Sequence, residues 1–422
     1  MATTYFIGRA TAVAQVGTVQ ITGMDGTPAN TTYILTVGSQ TVSVVGDTDE
    51  DTTAAALGAA WNASTHVYFT GVTAGVTTDT ITFTADTAGV PFVIVASVSG
   101  GTGTIGAYSA TTASAGPNDW STAGNWSGAA VPVNDDDVIL RDSSVNICWG
   151  LDQSAVELDS LTRDKTHTGL IGLDYMVFAT SADGATTSSL DVEYRATALE
   201  IDTPILNIRR HTGPGTVAGS GRFNLNLGTV ACEAVIEDTA TQSTDSGRPA
   251  VQLEIAQANT NVYIESAPGG VGIATEKPGT TSTVGKVSVS ATSVATRVLI
   301  GEGATITTYE QSGGSNTLQA AATVTAATVN GGKLLIDGAF LITTLEVNAG
   351  TVVPNNVPAA GAAVTNFNHN GGKVDGSQSS VARTWTTYQL GTDNAVLVAD
   401  DDVVTITTLN EPDGPYTLIS NK

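Results

Sequence analysis

Basic residues are scarce in this chain. Lys and Arg together number 16 against 40 Asp and Glu, a formal net charge of −24 over 422 residues. A surface of that sign repels phosphate backbones, which excludes nucleic-acid binding through a basic face. It also favours solubility at high concentration. Charged residues of both signs make up only 13% of the chain, about half the usual share. The Leu, Glu, Lys and Arg that build long amphipathic helices are therefore thin on the ground. Two cysteines, Cys148 and Cys232, are too few for a disulfide scaffold or a Cys-based zinc site. They are expected to be buried free thiols, with a single bridge between them as the alternative. The longest apolar stretch, around Val90 to Val98, contains Pro91 and is too short to cross a bilayer. Residues Met1 to Arg9 have neither the basic nor the apolar region of a secretory signal. The expectation is a chain made and assembled in the cytoplasm, without membrane contact.

What the chain has in abundance is Gly, at 46 residues, with Thr, Ala, Val and Ser, at an overall hydrophobic content of 41%. Thr and Val favour strands and Gly favours turns, so the composition predicts an ordered all-β protein. Its expected layout is a β-rich domain with one helix at 1–110, a linker and solenoid cap at 111–150, and a parallel β-helix at 151–422. In the first unit, Thr18 to Thr22 alternates as a half-buried strand does. Thr32 to Val37 and Gln40 to Val45 flank Gly38-Ser39, a two-residue hairpin signal. The acidic run Asp47 to Asp51 then opens a helix over Thr53 to Asn62, with Leu57 and Trp61 one turn apart. Val67 to Thr70, Thr78 to Ala85 and Pro91 to Val98 read as further strands, giving the order β-β-β-α-β-β-β.

Trp120 and Trp126, six residues apart ahead of Val138-Ile139-Leu140, suit a cover for the open end of a solenoid. Short strands follow, among them Ala155 to Leu161 and Leu199 to Ile208. The last third carries the clearest repeat: Gly313-Gly314, Gly331-Gly332, Ala349-Gly350 and Gly371-Gly372 recur at spacings of 18, 18 and 22 residues. Asn330, Asn348 and Asn370 stand just before three of these turns, and Asn tolerates left-handed corners. A period near twenty with Gly and Asn corners predicts parallel β-helix coils, with a β-sandwich array as the alternative.

Motifs for chemistry are sparse. His66, His167, His211 and His369 form no local metal pair and read as surface or turn residues. Asp47 to Asp51 begins like a calcium loop but has Thr52 and Gly58 where such a loop needs Gly and Glu. Asp135-Asp136-Asp137 and Asp400-Asp401-Asp402 read as solvated turns, with Ca²⁺ binding or paired-carboxylate chemistry left open. No nucleophile elbow, phosphate loop or zinc helix is present. Arg209-Arg210, the densest positive spot, is expected in an ion pair. The expectation is a protein that is not an enzyme, with no catalytic residue, metal or cofactor.

Two stretches carry a resemblance. Residues 11–98 resemble a small β-rich module of tailed-bacteriophage structural proteins. The residues that carry it are Thr41-Val42-Ser43-Val44, the acidic turn into a helix ending Ala59-Ala60-Trp61-Asn62, and Ile81 to Phe92. Asn118-Asp119-Trp120-Ser121 through Asn125-Trp126 to Val131-Pro132 is similar to the opening of β-helical passengers in autotransporter-like and phage proteins. Together they imply a virion structural protein: a capsid decoration or head-fibre protein that binds the major capsid protein and assembles as a homotrimer. The alternative is a tail-fibre or tailspike-like adhesin that binds host glycans, with Tyr175, Trp149 and Trp385 either stacking on sugars or, as the plainer reading, packed in the core or cap. A β-helical polysaccharide lyase or hydrolase, and a bacterial surface-layer protein, are the remaining readings.

Overall fold

The structure is a computed structural model, and it describes residues 2–178, 190–209, 222–239, 249–275, 279–291, 295–319, 322–337, 341–355, 363–377, 383–391, 395–399, 404–411 and 417–420. The chain is nearly all β, with a small N-terminal β domain and a parallel β-solenoid. Among the described residues, no helix is long and apolar enough to cross a membrane.

The small domain holds two antiparallel sheets. One orders Val72–Thr77, Thr80–Ala85, Val16–Gly23 and Thr104–Ile105, with Ser109–Thr112 also on Val16–Gly23; the other orders Gln40–Val45, Thr32–Val37 and Val95–Ser99. The Gly38-Ser39 hairpin forms as expected, with Val37 opposite Gln40. Helix α1 spans Glu50–Ala63 and starts in a reciprocal cap, in which Thr52 N donates to Asp49 Oδ1 at 2.8 Å and Asp49 N to Thr52 Oγ1 at 3.2 Å. Glu50 and Asp51 fill its first turn, at the positive end of the helix dipole. Leu57 and Trp61 are buried against the sheets. Gly58, a poor helix former, has a packing reason: a Cβ there would stand 2.4 Å from Val76 Cγ2. The helix lies too close to the sheet for any side chain at that position.

Two of the expected strands take another form. Val67–Thr70 is a helical turn, α2, with the His66 side chain accepting from Tyr68 N. Neighbouring Tyr68 and Phe69 are both buried, which a strand alternating between two faces does not achieve. Pro91 to Ile94 lies outside the ladder, which starts at Val95. Gln15 holds Phe92 instead, accepting from its N–H at 3.1 Å and donating to its C=O at 2.8 Å.

The solenoid is built from two parallel sheets of 13 and 12 strands, each coil contributing one strand to each. The expected strand at Ala155 to Leu161 is two, Asp152–Glu157 and Ser160–Arg163, in different sheets. Leu199 to Ile208 likewise splits into Leu199–Asp202 and Ile205–Ile208 around Thr203-Pro204. The first strand of the larger sheet comes from the opposite end of the sequence. Thr3–Phe6 pairs in parallel with Asp137–Leu140, so the small domain is inserted into the first coil. The chain leaves and returns side by side, where Val13 N donates to Ala115 O at 2.7 Å.

Two inward-facing ladders run the length of the larger sheet. One stacks Val138, Leu161, Leu206, Ala234, Val262, Val287, Tyr309, Ala327, Leu345, Phe367 and Tyr388, all buried. The other stacks Phe6, Leu140, Arg163, Ile208, Ile236, Ile264, Val289, Gln311, Val329, Val347, His369 and Leu390. From Ser282–Val289 onward the strands lengthen. On Ala304–Gln311, Ile306 and then Tyr309 face inward, so the alternation slips by one and the strand turns a corner. This adds a third ladder of Val284, Ile306, Val324, Ile342, Val364 and Trp385. Most of these coils bury three apolar side chains from one strand, each worth about 1.5–3 kcal/mol on removal from water.

The repeated turns stack as the spacing predicts. Gly314, Gly332, Gly350 and Gly372 have φ of 78°, 73°, 80° and 75°. A Cβ on Gly350 would lie 2.5 Å from Gly332 O, and one on Gly372 would lie 2.6 Å from Gly350 O. The left-handed corner thus falls on Gly. The Asn residues serve differently from the expectation: Asn348 Nδ2 donates to Asn330 Oδ1, and Asn370 Nδ2 to Asn348 Oδ1, each at 2.9 Å. They form an amide ladder along the outside of the corner.

Candidate functional site

The acidic clusters serve local structure. Asp47 to Asp51 caps α1. Asp136 accepts from Ala2 N and Val133 N at 3.1 Å each, and Asp137 accepts from Ser160 Oγ, which ties the first strand to its neighbours. Among the described residues, no group of three His, Cys, Asp or Glu side chains could hold a metal ion. Asp400-Asp401-Asp402, Arg210 and His211 lie outside the described residues. Cys148 and Cys232 are both free, Cys232 buried and Cys148 half-buried. Burial pushes the Cys148 thiol up to about 11 and the Cys232 thiol to about 12, so neither is a thiolate at neutral pH.

Two of the histidines are core residues rather than surface or turn residues. His369 stands in the inward ladder, its Nδ1 bonded to Tyr388 Oη at 2.6 Å and its Nε2 to Gly372 O at 3.2 Å. The carbonyl requires a donor, so Nε2 carries the proton and Nδ1 accepts. Burial holds the ring neutral, shifting its pKa down. His167 is buried edge-on to Phe6, and neither ring nitrogen has a hydrogen-bond partner among the described residues. Gln311, the third polar residue with Arg163 and His369 in its ladder, is satisfied by Tyr309 Oη, Asn316 Nδ2 and Gly331 O.

The aromatic platforms also have internal roles. Trp385 is buried, stacked on Tyr388 with centroids 5.2 Å apart and edge-on to Phe367 at 5.0 Å. It occupies a ladder position and is not exposed. Trp149 is half-buried beneath the Arg195 guanidinium, 4.4 Å from its ring centroid, and Tyr175 is half-buried. Trp120 and Trp126 are both buried edge-on at 4.7 Å, and Trp126 Nε1 donates to Trp120 O at 2.7 Å. With Phe6, 5.3 Å from Trp126, they close the apolar interior at the first coil.

A clamp fixes the small domain on the solenoid, and no sequence motif announced it. The antiparallel pair Met176–Phe178 and Leu190–Val192 leads into Glu193-Tyr194-Arg195. Arg195 donates to Glu193 Oε1 at 2.7 Å and Oε2 at 3.0 Å, and to Pro91 O at 2.9 Å, while covering Trp149. One side chain thereby joins clamp, small domain and solenoid. His66 Nε2 donates to Asp191 Oδ2 at 2.9 Å, Tyr68 Oη donates to Val192 O, and the Tyr68 and Tyr194 rings meet at 5.0 Å.

The outward face of the three-stranded sheet differs from the rest of this acidic surface. It consists of Thr32, Ile34, Thr36, Thr41, Ser43, Val45, Val95, Ser97 and Ser99, without a charge. Val45, Val93, Val95 and Val98, on this sheet and its lead-in, are four of the ten large exposed hydrophobic side chains among the described residues. Such concentrations mark contact surfaces. No protein family, no curated protein and no solved structure matches the chain.

Proposed function

We propose that the protein is a structural component of a tailed-phage virion, a capsid decoration or head-fibre protein whose small domain docks on the major capsid protein. The observation that carries the docking assignment is the uncharged Thr/Ser/Val face with its exposed Val45 and Val95, on a chain of net charge −24. The solenoid suits the projecting part. Thirteen strands spaced about 4.8 Å apart make a stack roughly 60 Å long, with a largely apolar interior. The clamp through Arg195 and Tyr68 suits a rod held at a fixed angle to its base. Three copies, flank to flank at three-fold positions of a shell, are the expected assembly.

The test is electron cryo-microscopy of intact particles, with a Val45→Lys/Val95→Lys variant in parallel. The expected result is density on the capsid lattice with the three-stranded sheet against the shell. The variant should keep its thermal unfolding profile and lose occupancy. Density confined to a tail tip would replace this reading with receptor binding, and absence from all particles would end it.

A further inference from the structure

The ladder of Phe6, Leu140, Arg163, Ile208 and Ile236 places one cation where its neighbours are apolar. Arg163 is buried and its Nη2 donates to His167 O at 3.2 Å. Beside it His167 is 1% exposed, with both ring nitrogens open. They line a recess of about 10 Å³, enough for one water-sized group. Lys165 and Arg209 stand at its rim, and their side chains make no hydrogen bond or ion pair among the described residues. Two carboxylates, Asp164 and Asp238, are also at the rim, so three cations face two anions and the local balance is one positive charge. Asp164 Oδ1 accepts from Thr166 N and Oγ1 at 3.2 Å, and Asp238 Oδ1 from Ser266 Oγ at 3.2 Å. Three of the 16 basic side chains of a strongly acidic chain therefore converge on a buried polar ring that lacks a partner. Buried polar atoms are rarely left so, and an open pair calls for a bound water or ion.

We propose that Arg163, Lys165, His167 and Arg209 form an oxyanion site. It takes a sulfate, phosphate or carboxylate group with one oxygen in the recess against the His167 ring and the remaining charge between Lys165 and Arg209. The neutral imidazole offers one N–H to that oxygen, Lys165 and Arg209 supply the charge-assisted contacts, and the buried Arg163 adds positive potential behind the recess. The ring is held neutral by burial and by Arg163, which together bring its pKa down to about 3, so the donor persists across the physiological range. The site is independent of how the small domain docks, because it lies wholly on solenoid coils.

The test is a titration of the full-length protein, labelled at histidine, with inorganic sulfate at constant ionic strength balanced by chloride. With four histidines in the chain, a His167→Phe variant assigns the resonance. The expected result is a saturable shift of the His167 ring alone. Lys165→Gln and Arg209→Gln, both at exposed positions, should each weaken sulfate affinity about tenfold with unfolding temperature unchanged. A shift that does not saturate, that chloride reproduces, or that survives both variants overturns the site. A sulfated or uronate oligosaccharide binding more tightly than inorganic sulfate would identify the group as one presented on a polymer. Equal affinity would identify a free ion.

Discussion

The small domain and the solenoid solve the same problem, burying apolar surface with few charged residues, in opposite ways. In the small domain Trp61 sits at a hub. It is edge-on to Phe69 and Phe83, each with centroids 4.8 Å away, and its Nε1 donates to Val72 O at 2.7 Å. One residue touches helix, helical turn and sheet. In the solenoid every core residue has a counterpart in the coil before and the coil after. Stability there is a sum over neighbours, and a defect is felt chiefly by adjacent coils. The small domain therefore concentrates its vulnerability, and the solenoid spreads it.

That contrast can be broken or sharpened by experiment. The largest effect is expected from Trp61→Ala, at about 3–5 kcal/mol. It should abolish or strongly lower one calorimetric transition and leave a second, belonging to the solenoid, in place. A single transition lowered as a whole would mean that the Arg195 clamp makes one cooperative unit of both. Next is Gly350→Val. Its left-handed φ of 80° and the Gly332 carbonyl 2.5 Å from a Cβ predict a loss of about 2–3 kcal/mol, with proteolysis localised to adjacent coils.

Acid should act on the solenoid more than on the small domain. His167 and His369 have pKa values lowered by burial, to about 3 for His167. The unfolded chain takes up their protons first, so stability is fully present above about pH 6.5 and falls as pH drops toward 3. The slope is at most about 1.4 kcal/mol per pH unit for each group. Denaturant titrations between pH 6.5 and 5 should show it, and His167→Phe should flatten it. The smallest effect is expected from Asn348→Ala, which interrupts the amide ladder at two 2.9 Å bonds and should cost about 1 kcal/mol by urea denaturation.

The parts of this fold legible in the sequence are those whose cause is local. The Gly-Gly turns recur because each must be left-handed and lie against the turn of the previous coil. The acidic run before α1 and the Gly38-Ser39 hairpin likewise act on their own neighbours. What escaped has a distant cause. Val67–Thr70 looks like a strand by composition, yet His66 caps it into a helical turn so that Tyr68 and Phe69 both face inward. Trp385 is where the plainer reading, core packing, holds: the register places it over Val364 in a closed interior. The recess at His167, with Arg209 at its rim, draws its residues from three coils and has no local signal. The valine face was hidden because its three strands are not consecutive: Val95–Ser99 pairs with Thr32–Val37 across two helices and two intervening strands.

The pairing of Thr3–Phe6 with Asp137–Leu140 also bears on biosynthesis. Thr3–Phe6 has no ladder partner until residue 137 has been made, although Trp126 reaches Phe6 slightly earlier. Closing a loop of that length carries a modest entropic cost that grows only with the logarithm of its length. A nascent small domain that folds first shortens the effective loop to the gap between Val13 and Ala115, which lie hydrogen-bonded side by side. The inserted domain would then act as an assembly jig for the coil in which it sits. Translation order, small domain before solenoid, becomes a folding instruction written into the topology.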